Sequence, residues 1–172
     1  MSDVPFMLHK KAHTFELPPL VSPVRHFLWY CCPLKKTSTR AGMEVLDWQL
    51  SRIEKILWAF NGIRKCAIAI PTSAEEEASF ESYESVAQRW NSIGVETFPV
   101  PNNTEMREGP AFIELLKMCP GGADDTAFFG HTKGVTRPVG DKAIRWWTET
   151  MMETVMENIS GADYSLSHFG VT

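Results

Sequence analysis

The sequence predicts an α/β domain: a mostly parallel sheet of about four strands with helices on both faces. Short apolar runs of strand length recur four times, and stretches with the three-to-four spacing of amphipathic helices separate them. Each intervening stretch is also long enough to return the chain for parallel pairing, which a hairpin turn cannot do. At 172 residues the chain suits a single domain with its own core.

The first 24 residues contain Pro5, Pro18, Pro19 and Pro23 without sustained periodicity and are expected to form an arm, with the domain running from 25 to 172. His26-Phe27-Leu28-Trp29-Tyr30-Cys31 is the first expected strand, stopped at Pro33. From Gly42 the period changes: Met43, Leu46, Leu50, Ile53, Leu57 and Phe60 mark one face of a helix that Asn61-Gly62 should end. Cys66-Ala67-Ile68-Ala69-Ile70 is the second strand. A helix is then expected from the acidic start Glu75-Glu76-Glu77, with Phe80, Tyr83, Ala87 and Trp90 on one side and Gly94 as its stop. Val95 to Val100 forms the third strand. Pro110, in a first helical turn where its missing N–H costs nothing, introduces a helix with Phe112, Leu115, Leu116 and Cys119 on its apolar side. Thr126-Ala127-Phe128-Phe129 is the fourth strand, Gly130 to Gly134 is a polar loop, and a last helix runs from about Ala143 to Ile159 with Ile144, Trp147, Met151 and Val155 in line. Most of the six tryptophans and eight methionines fall on such stripes and are expected to be packing residues.

With 17 Lys plus Arg against 21 Asp plus Glu and no block of basic residues, the chain lacks the charge footprint of a nucleic-acid-binding protein. No apolar run approaches the roughly 20 residues of a membrane span, and nothing near the N-terminus reads as a targeting segment. Cys31, Cys32, Cys66 and Cys119 form neither a CxxC pair nor a disulfide-dense pattern, so a reducing, cytoplasmic location is expected.

In a parallel sheet, ligands bind beyond the carboxyl ends of the strands. That rule selects the loops Lys35 to Thr39, Pro71 to Ser73, Asn102 to Glu108 and His131 to Arg137. The last carries an imidazole, hydroxyls and two cations between glycines. Lys133 and Arg137 suit a diphosphate, Arg as a bidentate fork and Lys as a point charge, although a solvated turn explains them equally well. It is neither GxxxxGK[ST] nor GxGxxG. His131 is read as a structural or substrate-contacting residue ahead of a base or metal ligand. Glu108 either binds sugar hydroxyls, anchors the lysine or caps its helix. Asp124-Asp125 precedes the fourth strand and should be a turn at the opposite edge. Cys31-Cys32 is read as packing, because only Lys35 and Lys36 lie near enough in sequence to lower a thiol pKa. No catalytic residue is assigned.

The run Phe128-Phe129-Gly130-His131-Thr132-Lys133-Gly134-Val135-Thr136-Arg137, followed by Ala143-Ile144-Arg145-Trp146-Trp147, resembles the HTKG-then-Trp signature of a group of glycosyltransferase-like proteins that includes the rhamnan-synthesis type. Asn102-Asn103 with Arg107-Glu108-Gly109-Pro110 is similar to the loop and helix preceding that signature, and the likeness covers roughly residues 26 to 160 in order and element type. The resemblance implies a GT-A-like, Rossmann-like half fold and a nucleotide-diphosphate sugar as donor, with a carbohydrate acceptor. It also implies that His131, Thr132, Lys133 and Gly134 form the ligand loop, with Arg137, Asn102, Asn103 and Glu108 beside it. A divalent cation, Mn or Mg, belongs to what it implies, yet the sequence contains no DxD triplet. The acceptor half expected after the Trp-containing helix is missing, so the chain is read as a donor-site half, a fragment or an inactive relative. The alternative from another class is a non-catalytic interaction or ligand-binding module; a small phosphate-binding hydrolase or transferase is a third. A homodimer stays open if Trp146 or a Met-lined patch is exposed.

Overall fold

The computed structural model describes residues 24–121, 125–132 and 134–150. The expected arm, the latter part of the last helix and Lys133 therefore lie outside the described residues. Four strands, β1 (Arg25–Cys31), β2 (Arg64–Ile70), β3 (Glu96–Pro101) and β4 (Thr126–His131), pair in parallel in the order β3-β2-β1-β4. The sheet is the expected α/β, Rossmann-like arrangement. Between the strands run α1 (Met43–Ile56), α2 (Ala74–Ser79), α3 (Tyr83–Ser92) and α4 (Gly109–Lys117), and α5 (Lys142–Thr150) follows β4.

The strand order fixes which face each helix covers. The chain steps from β1 to β2 to β3 in one direction and then jumps back across to β4. Crossovers of one hand must therefore put α4, which connects β3 to β4, on the opposite face from α1 and α3. Phe27, Trp29, Cys31, Cys66 and Ile68 accordingly pack with Leu46, Leu50 and Ile53 of α1 and with Val86 and Trp90 of α3. Leu28, Tyr30, Ala67 and Ala69, the alternate residues of the same strands, pack with Ala111 and Leu115 of α4. β1 is central and every one of its residues is buried. The whole stripe from Met43 to Phe60 is buried as its spacing requires, although the last turn, Leu57–Ala59, tightens to a 3-10 helix before Asn61-Gly62.

Two expectations need correction. The single helix expected from Glu75 to Trp90 is two helices. α2 buries no residue, and Ser82 restarts the chain as N-cap of α3, its side chain accepting the Ser85 N–H at 3.3 Å. Phe80 between them is extended and bridges Leu34, so it belongs to the α4-side core rather than to the stripe of Tyr83, Ala87 and Trp90. Removing the cap with Ser82→Ala should cost about 1 kcal/mol, read as a lower urea midpoint at unchanged slope. An unchanged midpoint would mean that α3 is held by Val86 and Trp90 alone.

The second correction concerns tryptophan and methionine. Trp29, Trp90 and Met43 are core residues, but Trp58 (48%), Met106 (61%) and Trp146 (68%) are exposed, as is Met118. An apolar stripe predicts the face of a helix; it does not say how far along that face the neighbouring layer extends.

Candidate functional site

The strand order makes β1 and β4 neighbours, and in an open α/β sheet a ligand crevice is expected beyond such carboxyl ends. Tyr30 and His131 are direct partners in the β1–β4 ladder. Thr132, buried, donates its N–H to the Tyr30 carbonyl at 3.1 Å and accepts the Cys32 N–H on Oγ1 at 2.9 Å, which ties the two strand ends together.

Strand β4 runs two residues further than the sequence suggests, through Gly130 and His131. The reason is steric. Gly130 lies under the Trp29 indole, where a Cβ would overlap the ring and stand 2.9 Å from Phe128, so this glycine serves close packing rather than loop flexibility. Gly134 does meet the loop expectation, with a φ of 98° and the Ile144 side chain of α5 filling the space of its missing Cβ.

Beyond β4 the chain turns to the α1 side. Ala41 N–H donates to the Arg137 carbonyl at 2.7 Å and Gly42 N–H to the Val135 carbonyl at 2.9 Å, so the loops after β1 and β4 are stitched together. Arg137 is exposed there. With Gly134, Arg145, Trp48 and Val139 it lines a groove of about 200 Å³ between α1 and α5. Arg145 also stacks over Trp48 at 5.7 Å from the ring centre. The carboxylates of this groove are already engaged: Glu44 pairs with Lys36, and Asp141 accepts the Ala143 and Ile144 N–H groups at 2.9 and 3.3 Å as the cap of α5.

The α4 side of the crevice is different in character. His131 Nδ1 lies 3.8 Å from Glu108 Oε1, and both side chains are about one-third exposed (27% and 32%). Glu108 is N-cap of α4 but makes no side-chain capping bond. Arg107 just before it has a left-handed φ of 52°, a conformation unfavourable for a residue with a Cβ, and this bend delivers Glu108 to the crevice.

The remaining expected residues divide between site and scaffold. Asn102 sits beyond β3, where its N–H donates to the Ile70 carbonyl at 2.9 Å and its amide donates to Glu76 at 2.7 Å. Asn103 turns inward to its own loop, accepting the Glu105 and Met106 N–H groups at 3.1 and 2.7 Å. The first two loops selected by position are likewise occupied with themselves. Lys35 Nζ donates to the Ala78 carbonyl at 3.1 Å. Ser73 caps α2 by accepting the Glu76 N–H at 3.2 Å.

Three residues of the crevice were not selected from sequence. Glu76 accepts hydrogen bonds from Thr72 N–H, Thr72 Oγ1 and Asn102, and the first of these above all holds its carboxyl below the usual range. The Ser73-x-x-Glu76 spacing of a capping box was its available signal. Tyr30 and Cys32 alternate with Leu28 along β1, so the period of two already pointed them to the α4 face. Burial, with the neighbouring Cys31 thiol and the Glu76 charge, pushes the Cys32 thiol up to about 12, which fits its expected packing role. Lys35 and Lys36 are engaged elsewhere, Lys35 with the Ala78 carbonyl of α2 and Lys36 with Glu44 of α1. Asp125 lies at the opposite edge, accepting the Val24 N–H at 3.2 Å and standing 3.8 Å from His26, as expected of a turn; Asp124 is outside the described residues.

Among the described residues no three His, Cys, Asp or Glu side chains gather into a cation site. No described helix is long and apolar enough to cross a membrane. Comparison of the chain with protein-family models, curated proteins and solved structures finds no match.

Proposed function

We propose that the chain is a glycosyltransferase-like domain that binds a nucleotide-diphosphate sugar in the crevice between β1 and β4. The observation that carries this reading is the position of the HTKG run at the carboxyl edge of the sheet: His131 ends β4 and Thr132 follows it beside the carboxyl end of β1, and Gly134 and Arg137 line the adjoining groove. Arg137, Arg145 and Lys133 are the cations available to the diphosphate. In glycosyl transfer an acceptor hydroxyl oxygen bonds to the anomeric carbon, giving up its proton to water, as the bond from that carbon to the diphosphate oxygen breaks. The electron pair leaves on the diphosphate, and nearby guanidinium groups would stabilise it there. The carbohydrate acceptor and a cytoplasmic location belong to the same reading.

Calorimetric titration of the full chain with UDP, GDP, CDP and dTDP and their common sugar conjugates, with and without Mn²⁺, tests it. One nucleotide should bind, and Lys133→Ala or Arg137→Ala should weaken it about 10-fold or more, the loss of one charge-assisted contact. Absence of binding across the panel, or binding untouched by both substitutions, overturns the reading.

A second reading, a non-catalytic ligand-binding or interaction module, is favoured by one feature. The loops flanking the groove are fixed to each other by backbone bonds rather than left to close on a substrate. Nucleotide binding without turnover of the sugar conjugate in the presence of Mn²⁺ and a carbohydrate panel is its expected signature.

A further inference from the structure

We propose that the groove between α1 and α5 receives the base of the nucleotide, stacked against the Trp48–Arg145 pair, with its phosphates on Arg137. This deepens the reading above and rests on it for the diphosphate.

The first support is the groove itself. The core stripe of α1 runs through Leu46, Leu50 and Ile53, and Trp48 stands off it, half-buried, with Val45 one turn earlier on the same flank. Both line the groove, and Val139 and Ile144 supply its other apolar side chains beyond β4. At about 200 Å³ it is smaller than the roughly 300–1,000 Å³ of a pocket that encloses a whole small ligand. It therefore has room for one ring system and leaves the rest of a nucleotide sugar outside. Gly134 lines the same groove, so the HTKG run and the place for the ring are contiguous.

The second support is charge. Arg52 and Arg145 stand 5.5 and 5.7 Å from the centre of the Trp48 ring. Glu149 matches Arg52 at 3.4 Å, whereas neither Arg137 nor Arg145 forms an ion pair among the described residues. The acids of the groove are spent elsewhere, Glu44 on Lys36 and Asp141 on the first N–H groups of α5. Two guanidinium groups that share one groove without a counter-charge are complementary to an anion with an apolar body. A guanidinium backed by an indole is also a flat platform, and a base has the π face to stack on it. A sugar ring has no such face, and the two carboxylates that could accept from its hydroxyls are the ones already engaged.

The third support is that the groove is preformed. The Ala41 and Gly42 N–H groups hold the Arg137 and Val135 carbonyls, and the Arg137 N–H donates to the Gly134 carbonyl at 2.9 Å. The loop that carries Arg137 is thus fixed to the start of α1, and little ordering is left for a ligand to bring about.

The test compares inorganic pyrophosphate with UDP, GDP, CDP and dTDP and their sugar conjugates on the full chain. The nucleoside diphosphate that binds should bind more tightly than pyrophosphate. Trp48→Leu should weaken it about 5- to 100-fold, what one stacked base is worth, and leave pyrophosphate unchanged, while Trp48→Phe should restore most of the loss. Arg137→Ala should weaken nucleotide and pyrophosphate alike. In the wild-type chain the nucleotide should also quench tryptophan fluorescence, and Trp48→Phe should remove that quenching, a readout that does not depend on the folding of Trp48→Leu. If a nucleotide binds but Trp48→Leu weakens it no more than pyrophosphate and the quenching survives in Trp48→Phe, the base lies elsewhere while the nucleotide reading stands. If Trp48→Leu weakens only the sugar conjugates, the groove holds the sugar and the assignment of the base is wrong. If no nucleotide binds, both readings fall.

Discussion

Trp29→Ala should lower the unfolding free energy by about 3–5 kcal/mol, the range for emptying a large aromatic from a closed core. Trp29 is fully buried on the central strand. Its ring stacks on Phe27 at 5.7 Å and Phe128 at 6.3 Å, and lies 5.8 Å from Trp90 of α3. Phe60, at 5.2 Å from Phe27 and 6.2 Å from Phe128, closes the cluster from beyond α1. One side chain therefore joins β1, β4 and α3 on one face, and little around it is free to collapse into the space. Urea unfolding followed by tryptophan fluorescence measures the loss. A change below about 1 kcal/mol, the level of an ordinary surface substitution or less than one buried methyl pair, would mean that this cluster is not the core of the domain.

Gly130→Ala is the second large effect, and its cause is the same ring seen from the other side. The added methyl has nowhere to go between the Trp29 indole and Phe128. Overpacking of this sort costs about 1–3 kcal/mol. Because the obstacle is a single side chain, the two substitutions should not add: in a Trp29→Ala background, Gly130→Ala should cost almost nothing, a coupling of about 1–3 kcal/mol. Simple additivity in the double-mutant cycle would place the strain elsewhere. The consequence for the site is direct. β4 reaches the crevice as a strand through His131 only because Gly130 lets it pass beneath Trp29, so Gly130→Ala should also shift the His131 imidazole resonances in an NMR spectrum.

The same glycine shows why sequence reading stopped where it did. Glycine between an apolar run and a polar one signals a loop, and at Gly134, with its left-handed backbone, the signal was correct. At Gly130 the requirement is room for a ring carried by another strand 101 positions earlier in the chain, and no local pattern records that. The split of α2 from α3 has a comparable origin. Phe80 fits the helical spacing of Tyr83, Ala87 and Trp90, but it bridges Leu34 and packs in the α4-side core instead.

Candidate site residues were legible to different degrees for the same reason. His131, Thr132, Gly134 and Arg137 follow a strand, and the carboxyl-end rule needs only the strand. Glu108 was found because it opens a helix on that edge. Asn103 has the right residue type and position, yet it is consumed by its own turn, and Asn102 is shared with Glu76.

What the sequence determined by itself is the class of the protein: four buried strands, the helices between them and hence a parallel sheet, because the periods of two and 3.6 and the length of each crossover are local properties of the chain. What only the tertiary structure decided is the strand order β3-β2-β1-β4. That order puts Tyr30 beside His131 and buries Gly130 under Trp29. The physical reason is that every one of these relations joins residues far apart in the chain, and their energies arise only when the sheet and its two helical layers close around β1.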